Sequence, residues 1–188
     1  MDEARSPSRL RWLPNAITIA RLAALPAMLA VLIAAEGPTS TAGAVLFTVI
    51  GATDFVDGRL ARILRAESRL GRVLDPLADR LLVAVGLVGL ILLDRVHPAA
   101  PALILARDAV SIAGFVVFAR RGVLLRVDFA GKCSSALAMF AVGFALLLDQ
   151  TWVDVLVWAA VAVSLATFAN YARTAARRWP RQPASTRA

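Results

Sequence analysis

Hydrophobic and polar residues follow one another along this chain in long blocks. Six blocks are almost entirely apolar, and most are about 20 residues long, which is enough for a helix to cross a bilayer. Short polar segments with glycine, proline or charged residues separate them. The pattern predicts an all-α polytopic membrane protein with six transmembrane helices. The predicted spans cover residues 13–35, 41–60, 71–93, 101–119, 134–148 and 152–172.

Polar termini flank this predicted six-helix domain, which we place at residues 13–175. Residues 1–12 are expected to form a cytosolic N-terminal segment. Residues 176–188 are rich in arginine, proline and serine, and we expect them to be a disordered cytosolic tail that contacts anionic lipid head groups.

Composition supports a membrane location and argues against other classes of protein. Of the 188 residues, 59% are hydrophobic, above the roughly 45–50% typical of soluble domains. A net charge of +8 on so apolar a chain indicates cationic flanks of membrane spans, not a nucleic-acid-binding surface. Cys133 is the only cysteine and His97 the only histidine. An internal disulfide and a zinc site of four Cys and His ligands are therefore excluded.

The basic residues predict the orientation of the six spans. The two termini and the connections after the second and fourth spans hold seventeen basic residues, whereas the other three connections hold one, Arg95. Loops rich in arginine and lysine stay on the cytosolic side. Both termini should therefore be cytosolic in a multi-pass protein of the cytoplasmic membrane. The remaining three basic residues, Arg21, Arg80 and Arg107, lie within predicted spans.

Four aspartates stand where the second span ends and the third begins. Asp54 and Asp57 are three residues apart, and Asp75 and Asp79 are four apart. Both spacings place two residues on one face of a helix. A short connection makes the two helices antiparallel neighbours, so all four carboxylates are expected in one pocket that opens towards the cytosol.

Carboxylates at membrane depth need a positive partner. Each charged aspartate there costs about 2.5–3.5 kcal/mol on insertion scales, and four together repel one another. Carboxylate oxygens are hard ligands that suit Mg²⁺, Mn²⁺ or Ca²⁺, and two divalent cations would balance four charges. Two metal ions can also clamp a phosphoryl group. The alternative is that the aspartates pair with Arg62, Arg72 or Arg80.

Small residues are interleaved with these aspartates. Gly58 follows Asp57 directly, Ala61 comes three residues later, and Gly71 lies one helical turn before Asp75. Residues with little or no side chain let a bulky phosphate ligand approach the backbone. The alternative for each is ordinary close packing of membrane helices.

This segment resembles the signature of the CDP-alcohol phosphotransferase family, D-x2-D-G-x2-A-R-x8-G-x3-D-x3-D. The signature covers 26 residues, and the expected six-helix layout extends the resemblance over most of the chain. All eight fixed positions are filled: Asp54, Asp57, Gly58, Ala61, Arg62, Gly71, Asp75 and Asp79.

The resemblance implies a metal-dependent phosphatidyltransferase that uses CDP-diacylglycerol. It implies that Asp54, Asp57, Asp75 and Asp79 bind two Mg²⁺ or Mn²⁺ ions, and that Asp79 is also the general base. An acceptor hydroxyl would attack the β-phosphorus, and CMP would leave. Family resemblance also suggests a homodimer. The residues implied to hold the CDP moiety are Asp54, Gly58, Ala61, Arg62 and Gly71.

Residues outside the signature bear on the acceptor. Asn15-x2-Thr18-x2-Arg21 resembles the start of bacterial phosphatidylglycerophosphate synthases, and Arg107 and Gly131-Lys132 fall where those enzymes have Arg and Gly-Lys. Arg21, Arg107 and Lys132 are therefore candidates to bind the phosphate of glycerol 3-phosphate, because guanidinium and ammonium groups bind phosphate well. The alternatives are a helix-packing ion pair for Arg21 or Arg107, such as Arg107 with Asp108, and a solvated lysine for Lys132.

One departure keeps other acceptors open. Phosphatidylglycerophosphate synthases usually have Arg-Glu where this chain has Arg107-Asp108, and Arg-Asp is more similar to CMP-forming cardiolipin synthases, whose acceptor is phosphatidylglycerol. An inositol-phosphate acceptor is a third possibility. A cation transporter is the alternative of another class, although it would need a conduction path to both faces. Here the acids gather towards one face.

Overall fold

The computed structural model describes residues 13–63, 71–120 and 129–178 of the chain. These residues form six α-helices, and the described ranges contain no strand, which confirms the predicted all-helical class. The helices are α1 (Leu13–Ile33), α2 (Thr41–Ile63), α3 (Gly71–Leu92), α4 (Ala99–Arg120), α5 (Phe129–Leu147) and α6 (Thr151–Arg178). Side chains are described for residues 16–53, 77–114, 130–131 and 133–174.

Two helix ends differ most from the prediction. Helix α5 begins at Phe129, before the expected start at Ser134, and α6 continues to Arg178, beyond the expected domain end at residue 175. The expected disordered tail is therefore helical over its first three residues, and its remainder, 179–188, lies outside the described residues, as does the segment 1–12. Alanine and arginine are strong helix formers, so a helix can continue where the apolar block ends.

Among the described residues, two helices are apolar enough over a sufficient length to cross a membrane. They contain the stretches Ala16–Ile33 in α1 and Thr151–Thr174 in α6. Helices α2 and α5 carry shorter apolar stretches, Thr41–Thr53 and Cys133–Leu147. Charged residues interrupt the apolar sequence of α3 and α4, because Arg80 lies in α3 and Arg107 in α4. The prediction of six spans therefore goes beyond what helix length and composition support by themselves.

Helices α1, α2, α3 and α5 pack around one apolar centre, and α4 and α6 extend it. Helix α1 packs against α2 and α3, α5 packs against α2, α3 and α6, and α4 packs against α3 and α6. The largest fully buried apolar side chains come from five of these helices, namely Met28 and Leu32 of α1, Leu82, Leu87 and Leu90 of α3, Pro101 of α4, Val142 and Leu146 of α5, and Val153 and Val157 of α6.

Glycines let these helices approach closely. Leu32 of α1 packs against Gly89 of α3, where an added Cβ would lie 2.5 Å from the leucine Cδ1. Phe47 of α2 packs against Gly86 of α3, where a Cβ would lie 2.9 Å from Cε2 of its ring. Small residues at such contacts are the usual means of close helix packing in membranes. Phe47 and Leu32 therefore tie α3 to its two neighbours α2 and α1.

A buried arginine closes the end of the bundle where α3 terminates. The Arg95 side chain is only 2% exposed, and its Nη1 lies 2.7 Å from a carboxylate oxygen of Asp154 and 3.4 Å from one of Asp149. Its Nε and Nη2 donate to the Leu148 carbonyl at 3.0 and 2.9 Å. The arginine thus caps the carbonyl end of α5, where helix carbonyls lack partners. It fixes the α3–α4 connection to the α5–α6 connection.

Candidate active site

The signature lies on two consecutive, packed helices. Its first five fixed positions fall in the C-terminal part of α2, and its last three fall in the N-terminal part of α3. Helices α2 and α3 pack against each other and are joined by residues 64–70, so the two aspartate pairs belong to the same end of the helix pair. The side chains of Asp54, Asp57 and Asp75 lie outside the described residues, as do those of Ala61 and Arg62. The predicted metal and CDP sites therefore remain predictions.

Asp79 is the signature carboxylate that the structure describes. Its Oδ1 accepts a hydrogen bond from Nη1 of Arg21 at 3.2 Å. The Arg21 side chain is 1% exposed and that of Asp79 is 48% exposed, so the pair reaches from the interior of the bundle to an accessible carboxylate. The sequence predicted Arg21 as a phosphate ligand and did not identify its contact with Asp79.

The contact between Arg21 and Asp79 explains one motif. Thr18 and Arg21 are both buried, and their spacing of three residues places them on one face of α1. Helix α1 packs against α3, which carries Asp79. The Thr-x2-Arg part of the N-terminal motif is thus a polar stripe that α1 directs into the bundle. A sequence signal for it existed, because a charged residue inside an apolar span needs a partner. That signal did not identify Asp79 as the partner of Arg21.

A second ionic cluster joins α3 to α4. Oδ1 of Asp108 accepts hydrogen bonds from Nη1 of Arg107 at 2.6 Å and from Nη1 of Arg80 at 3.1 Å. The side chains of Arg107, Asp108 and Arg80 are 11%, 19% and 38% exposed. The ion pair between Arg107 and Asp108, weighed as an alternative, is therefore present. We call these three residues the arginine–aspartate triad.

The triad also bears on how the signature aspartates are neutralised. Arg80 was a possible partner for them, and the structure instead pairs it with Asp108 of α4. Arg62 and Arg72, the other two possible partners, have side chains outside the described residues. Within the described part of the chain, no three His, Cys, Asp or Glu side chains lie close enough to hold a metal ion. The carboxylates of Asp54, Asp57 and Asp75 lie outside that part of the chain.

Charge is distributed unevenly about α3. Asp79 and Arg80 are consecutive, and side chains of consecutive helical residues diverge by about 100°. Asp79 is thus bonded to α1 and Arg80 to α4. The five charged groups of the two clusters carry one net positive charge. Nε of Arg107 is buried and has no hydrogen-bond partner within the described ranges. The arrangement offers a half-exposed carboxylate in the cluster with α1 and, in the cluster with α4, a guanidinium whose Nε has no partner among the described residues.

The three residues predicted to bind the acceptor phosphate are only partly brought together. Arg21 belongs to the ion pair with Asp79, and Arg107 belongs to the arginine–aspartate triad. These two clusters connect α3 to different neighbours, α1 and α4. Lys132 lies in the first turn of α5, and its side chain is outside the described residues. Among the described residues, a cleft of about 360 Å³ lies at the opposite end of the bundle, where Arg95 and Asp154 line it and are bonded to each other.

The chain is similar to known proteins over most of its length. Residues 11–166 match a family model described as CDP-alcohol phosphatidyltransferase. A CMP-forming cardiolipin synthase of Streptomyces coelicolor is 35% identical over 150 residues, 77% of this chain and 70% of that protein. A CDP-diacylglycerol–glycerol-3-phosphate 3-phosphatidyltransferase of Bacillus subtilis is 32% identical over 169 residues, 79% of this chain and 87% of that protein. An enzyme of the same name from Rickettsia bellii is 35% identical over 136 residues, 72% of this chain and 75% of that protein.

Proposed function

The chain belongs to the CDP-alcohol phosphatidyltransferase family, as its aspartate signature predicted, and we propose that it transfers a phosphatidyl group from CDP-diacylglycerol to glycerol 3-phosphate. The products are phosphatidylglycerophosphate and CMP. The observation that carries the proposal is the complete signature from Asp54 to Asp79, on two packed helices whose adjoining ends bear the two aspartate pairs. The named activities of the Bacillus subtilis and Rickettsia bellii relatives support this choice of substrates.

Asp79 accepts the proton in this proposal. Its carboxylate is half exposed, so the acceptor hydroxyl can reach it. The hydroxyl oxygen forms a bond to the β-phosphorus of CDP-diacylglycerol, its proton passes to Asp79, and the bond from that phosphorus to the CMP oxygen breaks. The contact with Arg21 orients the carboxylate, because it restrains a side chain that solvent would otherwise leave mobile.

The signature aspartates are proposed to hold two divalent cations. Asp54, Asp57, Asp75 and Asp79 supply only hard carboxylate oxygens, the donor set that suits Mg²⁺ or Mn²⁺. When bound, such ions neutralise charge on the pyrophosphate. Gly58, Ala61 and Gly71, with Arg62 nearby, are proposed to leave room for the CDP moiety. Their place beside the aspartates in α2 and α3 supports this assignment.

Turnover tests the proposal directly. Protein purified in detergent is mixed with CDP-diacylglycerol, Mg²⁺ or Mn²⁺, and glycerol 3-phosphate, and CMP is measured. We expect CMP to form with the wild type and to fall by about 10²–10⁴-fold in Asp79→Asn, the usual contribution of a general base. The enzyme proposal fails if no acceptor yields CMP, and the role of Asp79 fails if its substitution changes nothing.

A second acceptor has its own support. The Arg107-Asp108 sequence and the Streptomyces coelicolor relative favour phosphatidylglycerol, which would make the product cardiolipin. Phosphatidylglycerol and an inositol phosphate are therefore run beside glycerol 3-phosphate at equal concentration. The acceptor with the highest kcat/KM for CMP release identifies the reaction. A clear preference for phosphatidylglycerol would replace our first choice of acceptor.

We further propose that the protein has six spans, with both termini and the signature end of the bundle towards the cytosol. The asymmetry of basic residues supports this topology. In a Cys133→Ser background, Glu36→Cys should react with a membrane-impermeant maleimide added outside intact cells. Ser68→Cys should react only after the membrane is opened. The reverse pattern would invert the topology.

A homodimer, implied by the family resemblance, is tested by light scattering of the detergent complex.

A further inference from the structure

The arginine–aspartate triad contains more cationic donors than one carboxylate can satisfy. Both Arg107 and Arg80 donate to the same Oδ1 of Asp108, at 2.6 and 3.1 Å. We propose that Asp108 is a positioning residue for the acceptor: it holds Arg107 and Arg80 so that their free donors bind the acceptor's phosphate group. This inference rests on the proposed function, because it assigns the phosphate end of the glycerol-phosphate acceptor to a place in the structure.

Arg107 has hydrogen-bonding capacity left over. A guanidinium has five N–H donors, and only Nη1 of Arg107 has a hydrogen-bond acceptor among the described residues. Its Nε is buried, and a buried donor without a partner is unfavourable by about 1–3 kcal/mol. A phosphate oxygen would satisfy that donor. The planar fork of arginine suits phosphate better than a point charge would, because it can donate two bonds at once.

The charge of the triad also favours an anion. Two guanidinium groups face one carboxylate, which leaves one net positive charge. The Arg107 and Asp108 side chains are largely shielded from solvent, and charges interact more strongly where water is excluded. Arg80 is 38% exposed, so an anion can approach from that side.

The position of the triad matches the shape of the acceptor. Arg80 directly follows Asp79, the residue proposed to take the hydroxyl proton. Glycerol 3-phosphate carries its reacting hydroxyl and its phosphate at the two ends of one short carbon chain. Because Asp79 and Arg80 are adjacent in α3, we infer that one acceptor molecule presents its hydroxyl to Asp79 while its phosphate binds at the triad. A phosphodiester such as phosphatidylglycerol presents the same chemistry with one negative charge fewer.

Two other roles for Asp108 predict different results. If it only braced α3 against α4, its removal would lower stability and would affect both substrates alike. If it only weakened the positive field of the arginines, its removal would strengthen the binding of phosphate. A positioning role predicts the opposite sign, because the two arginines would repel each other and separate once the shared carboxylate is lost.

The test compares Asp108→Asn and Asp108→Glu with the wild type in the CMP-release assay. For Asp108→Asn we expect the KM for glycerol 3-phosphate to rise about tenfold or more, the effect of losing one hydrogen bond to a charged group. The kcat and the KM for CDP-diacylglycerol should each change by less than about twofold. Asp108→Glu keeps the negative charge but displaces it, so its KM for the acceptor should lie between those of the wild type and Asp108→Asn. If Asp108→Asn is not recovered folded, the Glu variant carries the comparison.

A matched control comes from the other end of the bundle. Asp154→Asn also removes a carboxylate from an arginine, at 2.7 Å from Arg95. It should lower the thermal unfolding midpoint and leave the acceptor KM unchanged. An acceptor KM that is unchanged or lower in Asp108→Asn overturns the proposal. An equal rise in the KM values for both substrates, together with a loss of kcat, also overturns the proposal. It would show that Asp108 only supports the packing of α3 against α4.

Binding without turnover separates this inference from the proposed function. At the same concentration, glycerol 3-phosphate should raise the unfolding midpoint of the wild type clearly more than that of Asp108→Asn. If the wild type releases no CMP with any acceptor, the proposed function fails, and this binding difference still decides the role of Asp108. If glycerol 3-phosphate protects both proteins equally, the triad is not its phosphate site.

Discussion

Arg21 and Asp79 form an ion pair in which one partner is buried and the other is accessible. Nη1 of Arg21 lies 3.2 Å from Oδ1 of Asp79, and the two side chains are 1% and 48% exposed. The pair connects α1 to α3 at the signature. The buried guanidinium restrains the Asp79 side chain, which is still 48% exposed and can be approached by a substrate. Arg21 is thus placed to orient the proposed base.

Replacing Arg21 should therefore reduce turnover more than it reduces binding. We expect Arg21→Lys to lower kcat by about 10²-fold, because a shift of about 1 Å in a reacting group has an effect of that size. KM values for both substrates should change much less. Steady-state CMP release measures both. Arg173→Lys, a change at an exposed arginine of α6, is the control and should behave as the wild type. A kcat unaffected by Arg21→Lys would show that the pair does not orient Asp79.

Removing divalent metal should abolish activity reversibly. Four aspartates in one signature can neutralise their charges with two cations, so EDTA followed by desalting should leave no CMP release. Adding Mg²⁺ or Mn²⁺ should restore it. Binding of Mn²⁺, followed by its electron paramagnetic resonance signal, should weaken in Asp75→Asn. Full activity after metal removal would contradict the metal assignment, whereas normal Mn²⁺ binding in Asp75→Asn would remove only that residue from the ligand set.

The glycines of α3 should differ in their tolerance of a methyl group. At Gly86 an added Cβ would lie 2.5 Å from Cγ1 of Val142 and 2.9 Å from the Phe47 ring, two stiff neighbours. Gly86→Ala should therefore lower the free energy of unfolding by about 1–3 kcal/mol. Gly89→Ala should have a smaller effect, because its neighbour is the flexible end of Leu32.

Gly114 of α4 provides the control for these two substitutions. An added Cβ there would meet nothing within 4 Å. Gly114→Ala should therefore be neutral or stabilising by up to about 1 kcal/mol, since alanine is the better helix former. Thermal unfolding in one detergent ranks the three variants. A larger loss at Gly114 than at Gly86 would refute the close packing of α3 against α5 and α2.

Arg95 should matter for stability and not for catalysis. Its guanidinium bonds both the Leu148 carbonyl and the half-exposed Asp154, so Arg95→Gln removes donors from the carbonyl and should lower the free energy of unfolding by about 1–3 kcal/mol. Asp79 lies about 20 Å away along the axis of α3. At a temperature where the variant is folded, its kcat/KM should equal that of the wild type. A selective rise in one KM would indicate a role in substrate binding.

The helical class and the position of the signature could be predicted from the chain alone. Helices α2 and α3 carry the two aspartate pairs as expected, because apolar blocks and local spacing determine both the helices and the face on which each pair lies. Helix ends were predicted less well. Helix α5 includes Gly131 and Lys132, which the prediction had placed in the preceding loop. A polar residue marks the end of a membrane span, but the helix can continue beyond that end.

The partners of the charged residues within the helices could not be predicted in the same way. The sequence shows Arg21, Arg80 and Arg107 inside apolar blocks, which implies only that each needs an anion. Arg95, which lies in a predicted loop, illustrates the difficulty, because it is bonded to Asp154, 59 positions away. Such contacts depend on how helices cross, and crossing depends on side-chain shape along the whole length of each helix.

The sequence by itself determined the helical class, the family and the positions of the signature residues along the chain, because these follow from local patterns and fixed spacings. The tertiary structure alone decided that Arg21 meets Asp79 and that Asp108 is shared by Arg80 and Arg107. The physical reason is that ion pairing depends on distances of a few ångströms between groups far apart in the chain. Only the packing of α1 and α4 against α3 brings those groups together.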